Sequence, residues 1–383
     1  LMKLLEDIIV IDFSQFLSGP SASLRLADMG AQVIKIEKKG TGDICRQLYV
    51  SDVVMDGESS IFHAINRNKQ SYAADLKCAV DKERVLQLIA KADVLLHNFR
   101  PGVMQRLGLD YETVKAINPG LVYAEISGYG SEGPWKDLPG QDLLVQSASG
   151  LTWLSNNDER EPTPMGVAIV DILAGTHVAQ GILAALYQKA ISDEGSLVQV
   201  SMLESILYFQ FEVLTCFYND GHQLPVRSSI NNGNPYVAAP YGIYKTAEGY
   251  IALAMTNIVV LGQLLSCNTL INYTDKASWF NNRDEIKTIL AEHLLTQTAD
   301  YWLSILQPAD IWCAKVLDYD TLAKEHAYQL LNMEMDVKTT NGLTIKTTRC
   351  PIRVDGQILT SEIGAPLLGE HNDQIEKQFD IVC

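Results

Sequence analysis

The sequence predicts an α/β fold: a large, doubly wound domain on a parallel sheet, followed by a smaller α+β domain. Three observations lead there. Strand-length apolar runs alternate with helical segments from Ile8 to Ser127. The first of these alternations, Ile8 to Glu37, is a complete strand–helix–strand unit. From Asn219 to about Ala238 the chain turns rich in Asn, Ser, Gly and Pro, which marks a break before a second block. A chain of 383 residues has the length for two domains.

The elements follow in order. Ile8-Ile-Val-Ile-Asp-Phe13 is a largely apolar run and reads as a buried strand. Ser14 to Pro20 is a loop; Pro20 suits a first helical turn, the helix runs to Met29, and Gly30 stops it. Ala31–Glu37 is the next strand. Gln70–Leu76 is strand-like, Val80–Ala92 helical, and Asp93–Phe99 a strand again. Short helices follow Pro101 and Asp110, and Gly120–Ser127 closes the series. A long helix is expected after Asp171, then a strand at Ser196–Ser201, then an apolar helix to about Tyr218. Pro240–Ala254 has strand character and Asp275–Leu306 is mostly helical, so residues 226–330 form the candidate second domain.

Charge narrows the function classes. The net charge is −16, yet residues 1–110 hold 14 basic and 14 acidic side chains, against 16 and 32 in the remainder. No extended basic surface is available for nucleic acid, and phosphates of a small anionic ligand are best met in the N-terminal part. Gly249–Thr274 lacks charge but carries too many Asn, Gln, Ser and Thr side chains to span a membrane, and no membrane partner is expected. Met2–Asp7 brings acidic charge before a first apolar run that is too short for a leader. Seven cysteines without a C-x-x-C pair or zinc spacing suggest reduced thiols, a cytoplasmic setting and no metal site.

One carboxylate stands out. Between Met165 and Gln188, Asp171 is the sole charged residue, and an ionised carboxylate in apolar surroundings is costly unless compensated. The simpler reading is a helix N-cap, with Ile172, Ala179, Ile182, Leu183 and Leu186 as the buried stripe behind it. The sharper one is a nucleophile kept anionic at a helix N-terminus. Both fit the spacing. His177 falls on another face of that helix and reads as a core or interface residue. Gly128-Tyr-Gly130-Ser-Glu-Gly133 matches a dinucleotide fingerprint, but Pro134 and Pro139 follow where a helix should open. A nucleotide-binding turn is therefore not expected there.

Taken together, these segments resemble the class III (CaiB/BaiF type) CoA-transferases over nearly the whole chain. The resemblance is carried by Ser18-Gly-Pro20, Leu26–Glu37 with Gly42, Asp43 and Arg46, and Asn68-Lys69 with Asp75-Leu-Lys77. It continues through Ala92–Gly102, Asn118–Ala124, Ser127–Pro134, Asp142, Val170–Gly175 and Gly364–His371. It implies a Rossmann-like large domain, 1–200, completed by about 331–383, with a linker helix at 201–225. It also implies an interlocked homodimer, coenzyme A as a substrate with no tightly bound cofactor, and CoA transfer from an acyl-CoA donor to a carboxylic acid acceptor. Asp171 takes the place of the family's nucleophile, attacking the thioester to give a mixed anhydride and then an aspartyl-CoA thioester. The resemblance further implies CoA contacts from Phe16, Leu17, Ser18, Lys38, Ala74, Lys77, Asn98, Phe99, Arg106 and Met202.

Some positions depart from the family. Leu17 replaces a glutamine of oxalate- and formate-handling members, Pro139 falls near a lysine of theirs, and Asn231–Pro235 is poorer in glycine than their active-site loop. An α-methylacyl-CoA racemase shares the fold but needs a second acid/base; where that branch has Gly-His-Asp, this chain has Gly140-Gln141-Asp142. A non-catalytic acyl-CoA binder is the remaining alternative, and a lone carboxylate beside a thioester gives such a protein nothing.

Overall fold

The computed structural model describes residues 4–48 and 53–382, so Met2, Lys3 and Cys383 lie outside it. The chain forms two compact units. The larger comprises residues 1–145, 168–209 and the segment from Leu330 onward; the smaller comprises 146–167 and 210–329. The expected boundaries put 146–167 with the large domain. That segment instead packs with the smaller unit, where buried Arg227 donates hydrogen bonds to the carbonyls of Ser155, Asp158 and Arg160.

The larger unit is built on six parallel strands: β1 (Ile9–Asp12), β2 (Gln32–Lys38), β3 (Gln70–Ala74), β4 (Val94–His97), β5 (Val122–Ser127) and β6 (Leu197–Ser201). Their spatial order is β3-β2-β1-β4-β5-β6, every pair parallel. Among the helices between them are α1 (Ser18–Asp28), α2 (Ala79–Ile89), α3 (Val103–Leu107), α4 (Tyr111–Ile117), α5 (Asp142–Ala148) and α6 (Ile169–Ser192), with a further short helix at Ser60–Asn66 before β3, and α7 (Met202–Phe209) follows β6. The sheet reverses direction of growth between β1 and β4. In such folds ligands bind at that switch point, outside the carboxyl ends of the strands.

Both faces are covered, as the apolar strand runs require. On one face Ile11, Ile34, Ile36, Tyr72 and Leu95 meet Val85, Leu88 and Ile89 of α2, joined by Ile375 and Phe379 from the C-terminal segment. On the other, α1 and α6 lie side by side. By length and composition alone α6 is apolar enough to cross a membrane; here it packs on α1, α7, β5 and β6. Within the smaller unit, the hairpin Gly242–Lys245 and Tyr250–Leu253 gains a third strand at Cys313–Lys315. Its core joins Tyr244, Ile251 and Leu253 to Leu261, Ile286, Leu290 and Trp302. The apolar helix expected to reach Tyr218 is broken at Gln210, where a second helix, Phe211–Asn219, begins.

Candidate active site

The first βα loop is held from below by buried charge. Asp12 ends β1 fully buried. It accepts hydrogen bonds from the backbone N–H and hydroxyl of Ser14, from Ser23 Oγ at 2.5 Å, and pairs with Lys69 at 3.4 Å. Burial would raise its carboxyl, but Lys69, Lys35 and the two hydroxyls outweigh that and hold it below the ordinary value. Lys35 donates to the Ser14 carbonyl and pairs with Asp43 at 2.8 Å. Asp43 accepts in turn from the Phe16 N–H. Glu37 takes the Asp43 N–H, the Arg46 guanidinium and Ser71 Oγ. Buried ions of this kind are tolerable only when each is paired, and the pairing ties the loops after β1 and β2 into one piece.

The switch point is closed by Asn98, directly after β4. Its Oδ1 accepts from the Gln15 N–H at 2.8 Å, and its Nδ2 donates to the Gln15 carbonyl at 2.7 Å and to Ser18 Oγ at 3.2 Å. Phe16, in between, adopts a left-handed backbone with φ 62° and is 47% exposed. Leu17 packs beside the small cluster of Cys45, Phe62, Ile65 and Ala365. Ser18 opens α1, 3% exposed.

Asp171 reaches this point from α6. The structure corrects the N-cap reading: Ala168 is the cap residue, without a side-chain bond, and Asp171 is the third helical residue. The first turn is capped from elsewhere. Asp142, opening α5, accepts from the backbone N–H groups of Val170 at 2.7 Å and Asp171 at 3.2 Å through one oxygen. Gly128 and Gly140 make this reach possible, because a Cβ on Gly128 would lie 2.6 Å from the Gly140 Cα. The loop between them opens no helix, so the dinucleotide fingerprint is absent in structure as well. A turn further along α6, a Cβ on Gly175 would stand 2.2 Å from Ser21 Oγ and 2.6 Å from the Ser18 carbonyl. Glycine here lets α1 and α6 approach until Ser18 meets Asp171.

The Asp171 side chain is half-buried. Burial, then the like charge of Asp142, push its carboxyl up from 3.8 to about 7, against a smaller opposing pull from a Ser18 hydrogen bond. It is thus poised between acid and anion near neutral pH, the range in which a carboxylate can act as a nucleophile or proton carrier.

The other expected ligand contacts all come from the carboxyl edge of the sheet. Lys38 ends β2, Ala74 ends β3, Lys77 follows it, Asn98 and Phe99 follow β4, Arg106 lies in α3, and Met202 follows β6. Lys38, Lys77 and Arg106 are exposed, and no ion pair holds them among the described residues. Ala74 and Met202 are buried, 2% and 4% exposed, so each stands behind the surface of the carboxyl edge. Phe99 packs partly on the core and stacks on His97 at 6.1 Å. His177 meets Tyr208 edge-on, away from Asp171. In the smaller unit, Asn231–Pro235 and Leu154–Asn157 line a cavity of about 470 Å³, and buried Lys287 donates to Ser228 Oγ and the Asn231 carbonyl to hold that loop. Sequence reasoning missed Asp142 as cap and charge neighbour, and Gly175 as the contact that joins the helices. A glycine four residues after a solitary aspartate was the available signal for the second.

Among known proteins, the family model described as CoA-transferase family III matches residues 5–372. The chain is 32% identical to an acetyl-CoA:oxalate CoA-transferase of Acetobacter aceti, over 98% of this chain and 95% of that protein. It is 30% identical to a succinate–glutarate CoA-transferase of Agrobacterium fabrum, over 99% and 96%. A solved CAIB/BAIF family protein from Brucella suis superposes with a TM-score of 0.83 at 26% identity, covering 98% of this chain and 99% of that one.

Proposed function

Because the chain belongs to CoA-transferase family III, we propose that it moves CoA from an acyl-CoA thioester to a free carboxylic acid through covalent intermediates on Asp171. The observation that carries this reading is the placement of Asp171. It lies in the first turn of a helix that another aspartate caps, half-buried, with its carboxyl raised to about 7. A cap duty does not explain it, whereas a carboxylate nucleophile does. Asp171 attacks the donor carbonyl and expels the CoA thiolate, giving an acyl-aspartyl anhydride. The thiolate attacks Asp171 Cγ and releases the donor acid. The acceptor carboxylate attacks the resulting thioester, and the thiolate then takes the new acyl group and frees Asp171. Splitting the exchange keeps the thioester's energy at each step. Relatives named for oxalate, glutarate, citramalate and mesaconate favour a short dicarboxylic acceptor. Lys38, Lys77 and Arg106 are assigned to the CoA phosphates and nucleotide.

The test is incubation with acetyl-CoA or succinyl-CoA and a panel of free acids, with mass spectrometry of products and of the Asp171 peptide. New acyl-CoA together with a hydroxylamine-sensitive adduct on Asp171 is expected; turnover without any adduct on a carboxylate refutes the covalent route. The racemase alternative loses support at Gln141, which cannot abstract a proton. A homodimer is part of the proposal. Ile172, Tyr187, Ile191 and Tyr208 expose large apolar surface along α6 and α7, as an obligate interface would require. Sedimentation at micromolar concentration should give twice the 42.4 kDa chain mass, and an active monomer refutes it.

A further inference from the structure

A carboxylate that is first nucleophile and then electrophile meets two demands. As an anion it must be free to attack. As an anhydride or thioester its carbonyl is attacked at Cγ, and the negative charge that develops on the aspartyl oxygen needs a donor in place beforehand. Among the residues that open α1 opposite Asp171, few side chains can donate. The backbone N–H groups of its own helical turn point to Asp142. The Leu17 side chain is apolar, Gly19 has none, and Pro20 brings neither a polar group nor an N–H; the backbone N–H groups of Ser18 and Gly19 at the start of α1 stand beside the one polar side chain.

Ser18 remains, and its hydroxyl is unusually constrained. Asn98 cannot turn its amide over, because the Gln15 N–H requires an acceptor at Oδ1 and the Gln15 carbonyl a donor at Nδ2. The second hydrogen of Nδ2 therefore goes to Ser18 Oγ, occupying a lone pair and leaving the hydroxyl proton for another partner. Gly175 brings α6 within contact of the Ser18 backbone, and the carboxylate one turn before it is that partner.

We propose that Ser18 is a catalytic donor that holds the aspartyl oxygen of Asp171 when Cγ is attacked, and that Asn98 is the positioning residue that aims it. This rests on the aspartyl mechanism above. In the second step the thiolate sulfur bonds to Cγ, the C=O electron pair moves onto the oxygen held by Ser18, and the pair returns as the Cγ–O bond to the donor acyl group breaks. In the third step a carboxylate oxygen of the acceptor bonds to Cγ, the same oxygen takes the charge, and the Cγ–S bond breaks to release thiolate. Neither step transfers a proton, so Ser18 keeps its hydrogen throughout. The first and last steps break bonds at the substrate carbonyl and do not use it in this way.

The experiment compares native enzyme with Ser18→Ala, Ser18→Thr and Asn98→Ala, using acetyl-CoA as donor and following the mass of the Asp171 peptide after rapid quench. Loss of one such donor lowers turnover roughly 100-fold to 1,000-fold. In Ser18→Ala, kcat is expected to fall on that scale with CoA affinity retained, the adduct is expected to stall as acetyl-aspartate instead of aspartyl-CoA, and the acid limb of the pH profile is expected to move to higher pH. Ser18→Thr should restore most of the rate. Asn98→Ala should give the same stalled adduct in milder form. Should Ser18→Ala not fold, Ser18→Cys removes the strong donor at similar volume and is read the same way. Native-like turnover and adduct ratio in the alanine variant overturn the Ser18 assignment alone. Absence of any Asp171 adduct in the native enzyme overturns the underlying mechanism instead.

Discussion

Replacing Asp171 by Asn should make the protein more stable while abolishing transfer, and the gain should depend on pH. The carboxyl titrates near 7 in the folded chain against 3.8 ordinarily. Each unit of that difference is worth about 1.36 kcal/mol. The folded state thus holds the proton more tightly than the unfolded one. Below about pH 3 both states are protonated and the group costs nothing; the cost accumulates as pH rises through 3.8 toward 7 and levels off near pH 8 at about 4 kcal/mol, an upper figure because water reaches the half-buried group. Asparagine stays neutral at every pH and removes this cost. Unfolding free energies of native and variant protein, from urea titrations at pH 5, 6.5 and 8, should diverge by about 3 kcal/mol over that range, with equal m-values. If Asp171 served the fold, its loss would instead cost about 1 kcal/mol, nearly constant above pH 5. A variant that is less stable, or one whose difference from native ignores pH, refutes the reasoning.

Three further outcomes follow from the same geometry. Asp142→Asn keeps the oxygen that caps α6 but removes the like charge, so the acid limb of kcat/KM should move below its native position near pH 7; an unmoved limb refutes the coupling. Gly175→Ala places a methyl against the Ser18 carbonyl and Ser21 Oγ and should lower stability by about 1–3 kcal/mol, with a loss of turnover as α1 and α6 part; thermal melts and steady-state rates check both. Arg106→Ala should raise the KM for acyl-CoA roughly 10-fold with kcat nearly unchanged, because a remote phosphate contact contributes equally to ground and transition states; a collapse of kcat at constant KM would show the residue misplaced.

What the sequence disclosed follows from how local each signal is. Ile8–Phe13 reads as a strand because its apolar run is long, and Pro20 with Gly30 brackets α1 closely. The hairpin of Glu334–Lys338 and Thr344–Thr348 went unseen because its buried side, Met335, Val337 and Ile345, is thinly spread among charged and Thr side chains. The uncharged stretch near Gly249 conceals a helix at Ile258–Leu265, capped by Asn257. At the site, solitary Asp171 was conspicuous, but its cap comes from Asp142, 29 positions earlier, which no local spacing reveals. Asn98 and Ser18 were picked out as ligand contacts; that they bond to each other depends on the switch point, where strands distant in sequence become neighbours.

The meeting of Gly128 and Gly140 has a consequence for how the protein can change. The two backbones touch at the neck of a loop whose tip, Tyr129 to Pro139, is largely solvent-facing. The position of Asp142 is set by the neck and not by the length of what hangs from it. Doubling such a loop costs only about 0.6 kcal/mol in closure entropy. Residues between the glycines are therefore free to lengthen, shorten or change character, while the charge that tunes Asp171 stays where it is. Variation and constraint are separated by a single pair of missing side chains.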